Sequence, residues 1–230
     1  MEISFHLFMS DTPQALQVFV DDDSSGVAYK NKALKRQAIH YLDSLGSATI
    51  TDVSQNLGIS IPKTTSLINE LIADGLLAEQ GKIDSTGGRR ASLVGLVAHS
   101  CYFLGVDVRP YFVNIGLLDF KKNMVKVEEH VPFTLSNSLA SYEQLVKIIN
   151  DFVAGLPIEK SLIISAGINL SGRINHHTGY SYSYFHFQEA PLSESFSRDT
   201  GITCFIENDS RAMAYGEFFG AGPVEVRNAL

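Results

Sequence analysis

One stretch of 42 residues limits the possible folds more than any other. From Thr49 to Arg90 the chain reads TITDVSQNLGISIPKTTSLINELIADGLLAEQGKIDSTGGRR. Thr51 to Leu57 predicts a short helix that stops at Gly58. A second helix starts near Pro62, with Ser60 and the proline as start signals, and Asp74-Gly75 ends it. Its apolar residues Leu67, Ile68, Leu71 and Ile72 recur at helical spacing, so one side faces a core. Leu76 to Glu79 and Ala91 to Val97 read as two strands joined by a turn rich in Gly, Ser and Arg.

Helix, tight turn, helix and basic-tipped hairpin together form the pattern of a winged helix-turn-helix. In that motif the second helix enters the DNA major groove. Burying Leu67, Ile68, Leu71 and Ile72 leaves Pro62, Lys63, Thr65, Ser66 and Asn69 facing outward. Short hydroxyl and amide side chains suit base edges and phosphates. Gly87 and Gly88 permit positive φ in the wing turn, and Arg89 and Arg90 beside them are candidates for phosphate or minor-groove contact. A protein-docking surface is the alternative use of the same scaffold.

Charge follows this division. Residues 1–29 carry five acids and no Lys or Arg, a balance of −5; residues 30–90 carry eight basic and six acidic residues, a balance of +2; residues 91–230 carry ten and fourteen, a balance of −4. Only the helix-turn-helix segment has the sign that attracts phosphate. Upstream, residues 1–28 read as a poorly ordered lead-in with an acidic linker. Residues 30–45 predict a helix with Ala33, Leu34, Ala38, Ile39, Tyr41, Leu42 and Leu45 inward. For Lys32 and Lys35 on its other side, a solvated face and contact with DNA backbone stand even.

Cys101 and Cys204 are the only cysteines, each within an apolar run, and read as buried thiols. No apolar run approaches the ~20 residues of a membrane span, and the N-terminus has no secretory-signal pattern. A cytoplasmic protein is expected.

Beyond residue 97 the periodicity changes. Residues 99–133 predict three strands, with Leu104, Val106 and Val108 alternating in the first. Tyr142 to Leu156 is an amphipathic helix with Leu145, Ile148, Ile149, Phe152 and Val153 inward. Then follow a strand at Lys160–Ile168, a helix at Ser193–Asp199, a strand at Ile202–Ile206 and a helix at Ser210–Phe219. This order predicts an α/β layer on one mixed sheet. The aromatic-rich segment from Asn175 to Phe187 suits a core or dimer surface at least as well as a sugar-stacking one. His176 and His177 are adjacent, a poor spacing for one metal ion, and no metal is assigned to them.

Three blocks in order carry a family resemblance. Ser85-Thr86-Gly87-Gly88-Arg89-Arg90 leads into Cys101-Tyr102-Phe103-Leu104-Gly105-Val106-Asp107-Val108. Ser165 to Ile174 reads SAGINLSGRI, and Ile206 to Glu217 reads IENDSRAMAYGE. With these the chain resembles regulators of the ROK family (repressors, open reading frames, kinases) over about residues 30–230. The resemblance implies an α/β fold class: an N-terminal winged helix-turn-helix at 29–96, then the first lobe of an actin-like, ribonuclease-H-like sugar-kinase fold at 97–230. It implies a sugar-responsive DNA-binding regulator, a repressor of carbohydrate-use genes, that binds double-stranded DNA as a homodimer or higher homo-oligomer. Its effector would be a small sugar or sugar phosphate.

The resemblance also assigns residues. Asn208 and Asp209 would clamp sugar hydroxyls, with Gly167, Asn169, Ser171 and Gly172 in the facing loop; an Asn-Asp helix cap is the reading that their position alone favours. In the family's kinases the matching Asp takes the proton of the sugar hydroxyl. A Gly-Gly-Thr-type phosphate turn would follow Asp107, but this chain has Asp107-Val108-Arg109-Pro110, and Pro lacks an N–H. No catalytic residue and no kinase activity are therefore expected; a sugar kinase with an accessory winged-helix domain is the enzyme alternative. The family's zinc motif would lie downstream of Leu230, so no cofactor is expected in this chain, and the lobe is expected to be truncated.

Overall fold

The computed structural model of the chain describes residues 14–19, 26–83, 91–187 and 189–220. These divide into two compact units: 14–102 with 119–123, and 103–118 with 124–220.

The first unit holds α1 (Val27–Leu45), β1 (Ala48–Thr49), α2 (Ile50–Leu57), α3 (Ile61–Ala73), β2 (Leu77–Ile83) and β3 (Ala91–Leu96). Its three strands form a sheet of order β1-β3-β2, antiparallel throughout. Leu42 of α1, Val53 of α2, and Leu67, Ile68 and Leu71 of α3 meet in one core with Leu76 and Leu77. Each such side chain contributes roughly 1.5–3 kcal/mol on burial. Helix α2 starts with a capping box: Thr49 accepts from the Asp52 amide, and the Asp52 carboxylate accepts from Thr49 N and Oγ1. It ends at Gly58 in the left-handed region, at φ 63°, a conformation that suits a residue without Cβ.

Four features differ from the sequence expectation here. Leu45, expected inward, is 57% exposed, as the last residue of α1. Ile72 is half-buried, while Thr64, which the apolar pattern skips, is fully buried. Strand β1 is too short to show a period. Within the expected lead-in, Gln14–Val18 form a 3-10 helix whose Leu16 and Val18 are buried, and Arg36 Nε donates to the Val18 carbonyl at 2.8 Å.

The second unit is built on β4 (Tyr102–Val108), β5 (Phe112–Asp119), β6 (Met124–Pro132), β7 (Ile163–Leu170) and β10 (Cys204–Asn208). Their order is β10-β7-β4-β5-β6. Strand β10 runs parallel to β7, and β6 antiparallel to β5, so the sheet is mixed. Alternation puts Leu104, Val106, Val108, Val113, Ile115, Leu117, Ala166, Ile168, Leu170, Cys204 and Ile206 into the core. Helix α4 (Leu139–Ala154) packs on α5 (Leu192–Thr200), and α5 on β10; α6 (Asp209–Gly220) lies against β7 and β10. Two short strands, β8 (Ile174–Asn175) and β9 (Tyr180–Ser181), pair between β7 and α5 in the chain. Strand β7 starts at Ile163, after a 3-10 turn over Lys160–Leu162, and β10 runs on to Asn208, two residues beyond the expected end.

Candidate functional site

Two places gather the candidate residues. The first is α3. Thr64, Leu67, Ile68 and Leu71 are buried, and Pro62, Thr65, Ser66 and Asn69 repeat the same spacing two residues earlier. Two residues are about 200° of helical turn, so the second set points away from the core. Pro62, Lys63, Ser66 and Asn69 are exposed and Thr65 half-exposed. The turn before α3 is fixed by Ser54, whose hydroxyl donates to the Ile59 carbonyl at 2.6 Å.

The outward side chains differ in what they engage. Thr65 Oγ1 donates to the Ile61 carbonyl at 2.8 Å, and Ser66 Oγ donates to Glu70 Oε1 at 3.4 Å. Glu70 Oε2 receives Lys35 Nζ of α1 at 3.0 Å, and Asp74 lies 3.6 Å from the same ammonium. Lys35 is thus an internal partner of α3, with a side chain only 17% exposed. Neither Lys63 nor the Asn69 side chain has a hydrogen bond or ion pair among the described residues. Arg89 and Arg90, with the rest of the turn 84–90, lie outside the described residues.

The second place is where β7 and β10 end side by side. Their register pairs Gly167 with Phe205, Asn169 with Glu207 and Leu170 with Asn208. Asn208 Nδ2 donates to the Gly172 carbonyl at 2.9 Å, and Asn208 Oδ1 accepts from Arg211 N at 3.1 Å. Asp209 Oδ2 accepts from Ser171 Oγ at 2.9 Å, while Oδ1 accepts from Ser210 N at 2.8 Å and Asn208 Nδ2 at 3.2 Å. Four of the six sugar candidates, Ser171, Gly172, Asn208 and Asp209, therefore form one hydrogen-bonded cluster. Both Asn208 and Asp209 also cap the first turn of α6. Gly167 and Asn169 lie on β7 before this cluster, and a Cβ on Gly167 would meet nothing within 4 Å. Gly172 has φ +95°, and a Cβ there would lie 2.4 Å from Ser183 Oγ. That hydroxyl also accepts from Arg173 N at 2.9 Å. Ser183 sits in the aromatic run, and no pattern in the sequence marks it.

The remaining polar candidates have structural partners. Arg109 Nε lies 2.8 Å from Asp107 Oδ2, and Asn114 Nδ2 reaches the same oxygen at 3.4 Å. Arg109 N donates to the Phe112 carbonyl at 2.9 Å, so the segment after Asp107 is a tight turn between β4 and β5. Within the aromatic run, Phe185 is buried against Tyr142 and Phe196, with ring centroids 5.8 and 6.4 Å away. Tyr182 and Phe187 stay exposed. Tyr142 OH donates to Asp199 Oδ2 at 2.6 Å, and Arg198 Nε to Asp199 Oδ1 at 2.8 Å. The Arg198 hydrogen bond, then that of Tyr142, hold the Asp199 carboxyl below its ordinary range against the opposing effect of burial. Both thiols are buried, and burial pushes Cys101 up to about 12 and Cys204 up to about 11, so neither is a reactive thiolate. No helix among the described residues is long and apolar enough to cross a membrane.

Comparison with known proteins shows a family match over the second half of the chain and longer relatives across most of it. The family model "ROK family" matches residues 103–229. The DNA-binding transcriptional dual regulator NagC of Escherichia coli (strain K12) is 25% identical over 194 residues, which are 83% of this chain and 48% of that protein. The xylose repressor of Bacillus subtilis (strain 168) is 25% identical over 171 residues, 74% of this chain and 44% of the repressor. The chain thus spans about half the length of these curated relatives. Among solved structures, a ROK family transcriptional regulator described as a homolog of the E. coli MLC protein matches with a TM-score of 0.63 and 19% identity, covering 83% of this chain and 49% of that one.

Proposed function

The chain belongs to the ROK family, and from that premise we propose that it is part of a sugar-responsive transcriptional repressor of carbohydrate-use genes. Its first unit acts as a winged helix-turn-helix, with Pro62, Lys63, Thr65, Ser66 and Asn69 of α3 in the major groove and Arg89 and Arg90 in the wing. The observation that carries this reading is the division of α3 into a buried face and an oppositely placed polar face. The names of NagC and the two-unit organisation support it. The protein works in the cytoplasm, as a homodimer or higher homo-oligomer on a palindromic operator.

The second unit is read as the first lobe of an actin-like, ribonuclease-H-like sugar-kinase fold, part of a larger effector domain. Asn208 and Asp209 hold the hydroxyls of a sugar or sugar phosphate, with Gly167, Asn169, Ser171 and Gly172 on the facing strand and loop. Asp209 already accepts from Ser171, so an arriving sugar hydroxyl competes for one carboxylate oxygen. Such an effector changes operator affinity only if it binds the DNA-competent and released states unequally. Phosphoryl transfer is disfavoured because the Asp107–Arg109 ion pair occupies the turn where a phosphate cradle would form.

Fluorescence anisotropy with upstream DNA tests this reading. Binding should weaken steeply with salt and respond to xylose, N-acetylglucosamine or their phosphates. Absence of salt-sensitive DNA binding removes the regulator reading, and ATP turnover with a sugar would favour the kinase.

A further inference from the structure

The α3 hydroxyls limit which DNA groups the helix can read. A hydroxyl has one proton to donate and two lone pairs to accept with. In Thr65 that proton is engaged inside the helix, on the Ile61 carbonyl at 2.8 Å. In Ser66 it points to Glu70 Oε1 at 3.4 Å, the weaker of the two bonds. Glu70 cannot turn away freely, because its other oxygen is held at 3.0 Å by Lys35. Lys35 is itself largely covered and shared with Asp74. Side by side on the outward face, Thr65 and Ser66 therefore present lone pairs.

Resting on the DNA-binding reading above, we infer that Thr65 and Ser66 read the exocyclic amines of adenine or cytosine in the major groove and do not contact phosphate. Phosphate oxygens are acceptors and cannot pair with an acceptor. In the major groove the donors are the N6 amine of adenine and the N4 amine of cytosine; guanine presents N7 and O6, and thymine O4 and a methyl group. The two hydroxyls thus favour base pairs with an amine at the positions they face. Phosphate contact on this helix falls to Lys63, whose ammonium has no ion pair among the described residues. Asn69, which follows Ser66 on the same face, has both a donor and an acceptor and can take the N6 and N7 of one adenine.

The experiment uses the full protein and duplexes enriched from a random pool. Single sites in the enriched duplex are replaced by 2′-deoxynebularine for adenine, or by deoxyzebularine for cytosine, each lacking only the amine. At one or two positions per half-site, loss of the amine should weaken wild-type binding about tenfold. Thr65→Val or Ser66→Ala should abolish that difference at its own position and leave the other positions unchanged. If both variants weaken every duplex equally and keep the amine preference, the hydroxyls contact backbone and the inference is wrong. If the wild type enriches no sequence at all, the DNA-binding reading itself has failed. Ser66 is exposed, so Ser66→Ala and the wild-type analogue series remain informative if Thr65→Val does not fold.

Discussion

Asn208 donates its side-chain amide to the carbonyl oxygen of Gly172 at 2.9 Å, fastening the end of β10 to the loop that leaves β7. Gly172 can sit there because it has no side chain. Its φ of +95° is strained for other residues, and a Cβ would overlap Ser183 Oγ and Cβ, which are 2.4 and 2.5 Å from that position. Serine is too short to swing clear. Gly172→Ala should therefore destabilise the protein by about 1–3 kcal/mol in urea unfolding. Gly167→Ala, where nothing lies within 4 Å, should change stability by less than about 0.5 kcal/mol. Equal effects of the two substitutions would contradict this account of the loop.

Removing the Tyr142 hydroxyl should alter both stability and its pH dependence. Tyr142→Phe deletes the 2.6 Å bond to Asp199 and should cost about 1–2 kcal/mol near neutral pH. Because the folded-state pKa of Asp199 is lowered, its contribution is complete above the ordinary carboxylate value of about 4 and fades as pH falls toward the lowered one. Thermal unfolding measured from pH 6 down to pH 2 should show a shallower acid-side decline in Tyr142→Phe than in the wild type. Burial, followed by the Asp199 hydrogen bond, raises the Tyr142 pKa. The wild type should accordingly also lose stability as pH climbs above the ordinary tyrosine value of about 10, and the variant should lack that loss.

The capping box at Thr49 should depend on its side-chain hydroxyl, which both accepts and donates. Thr49→Ala removes an acceptor for Asp52 N and a donor to Asp52 Oδ2 and should cost about 1 kcal/mol. Thr49→Ser keeps both bonds and should recover more than half of that. Amide exchange of the first turn of α2 should speed up in the alanine variant; unchanged exchange would mean that the cap does not limit local opening.

Lys35, which reaches α3 from α1, and Lys63, on α3 itself, should behave in opposite ways. Lys35 is paired inside the unit, so Lys35→Ala should lower the melting temperature, through a loss of about 1 kcal/mol. Lys63 is exposed and unpaired among the described residues. Lys63→Ala should leave the melting temperature within a degree or two of wild type. It should reduce the slope of log K against log salt in DNA binding by about 1. A lower melting temperature with an unchanged slope in Lys63→Ala would assign that residue a structural role.

Much of this was legible in the sequence because the signals are local. Ser60-Ile61-Pro62 and Asp74-Gly75 bracket α3 to within one residue of Ile61–Ala73, and Gly58 and Gly201 end α2 and α5 in the left-handed region. Leu104, Val106 and Val108 alternate as a strand must. Features that depend on long-range pairing were not legible. Strand β1 spans two residues and exists only because Ala48 and Thr49 face Val94 and Leu93. Thr64 is polar yet buried, since its hydroxyl donates back to the Ser60 carbonyl at 3.1 Å. At the candidate sugar cluster, the adjacent residues Asn208 and Asp209 were visible. Their bonds to Gly172 and Ser171, more than thirty positions away, follow from the parallel β7–β10 register, which no local pattern encodes. The same holds for Lys35: its charge is plain in the sequence, but its partners lie on another helix.

The buried and outward sets of α3 share no member. Thr64, Leu67, Ile68 and Leu71 can stay constant while Pro62, Thr65, Ser66 and Asn69 are rewritten. If this outward set reads DNA as proposed, duplicated genes diverge in target preference by surface substitution alone, with the scaffold inherited intact. Selection on folding and selection on recognition would act on different letters of the same thirteen-residue helix.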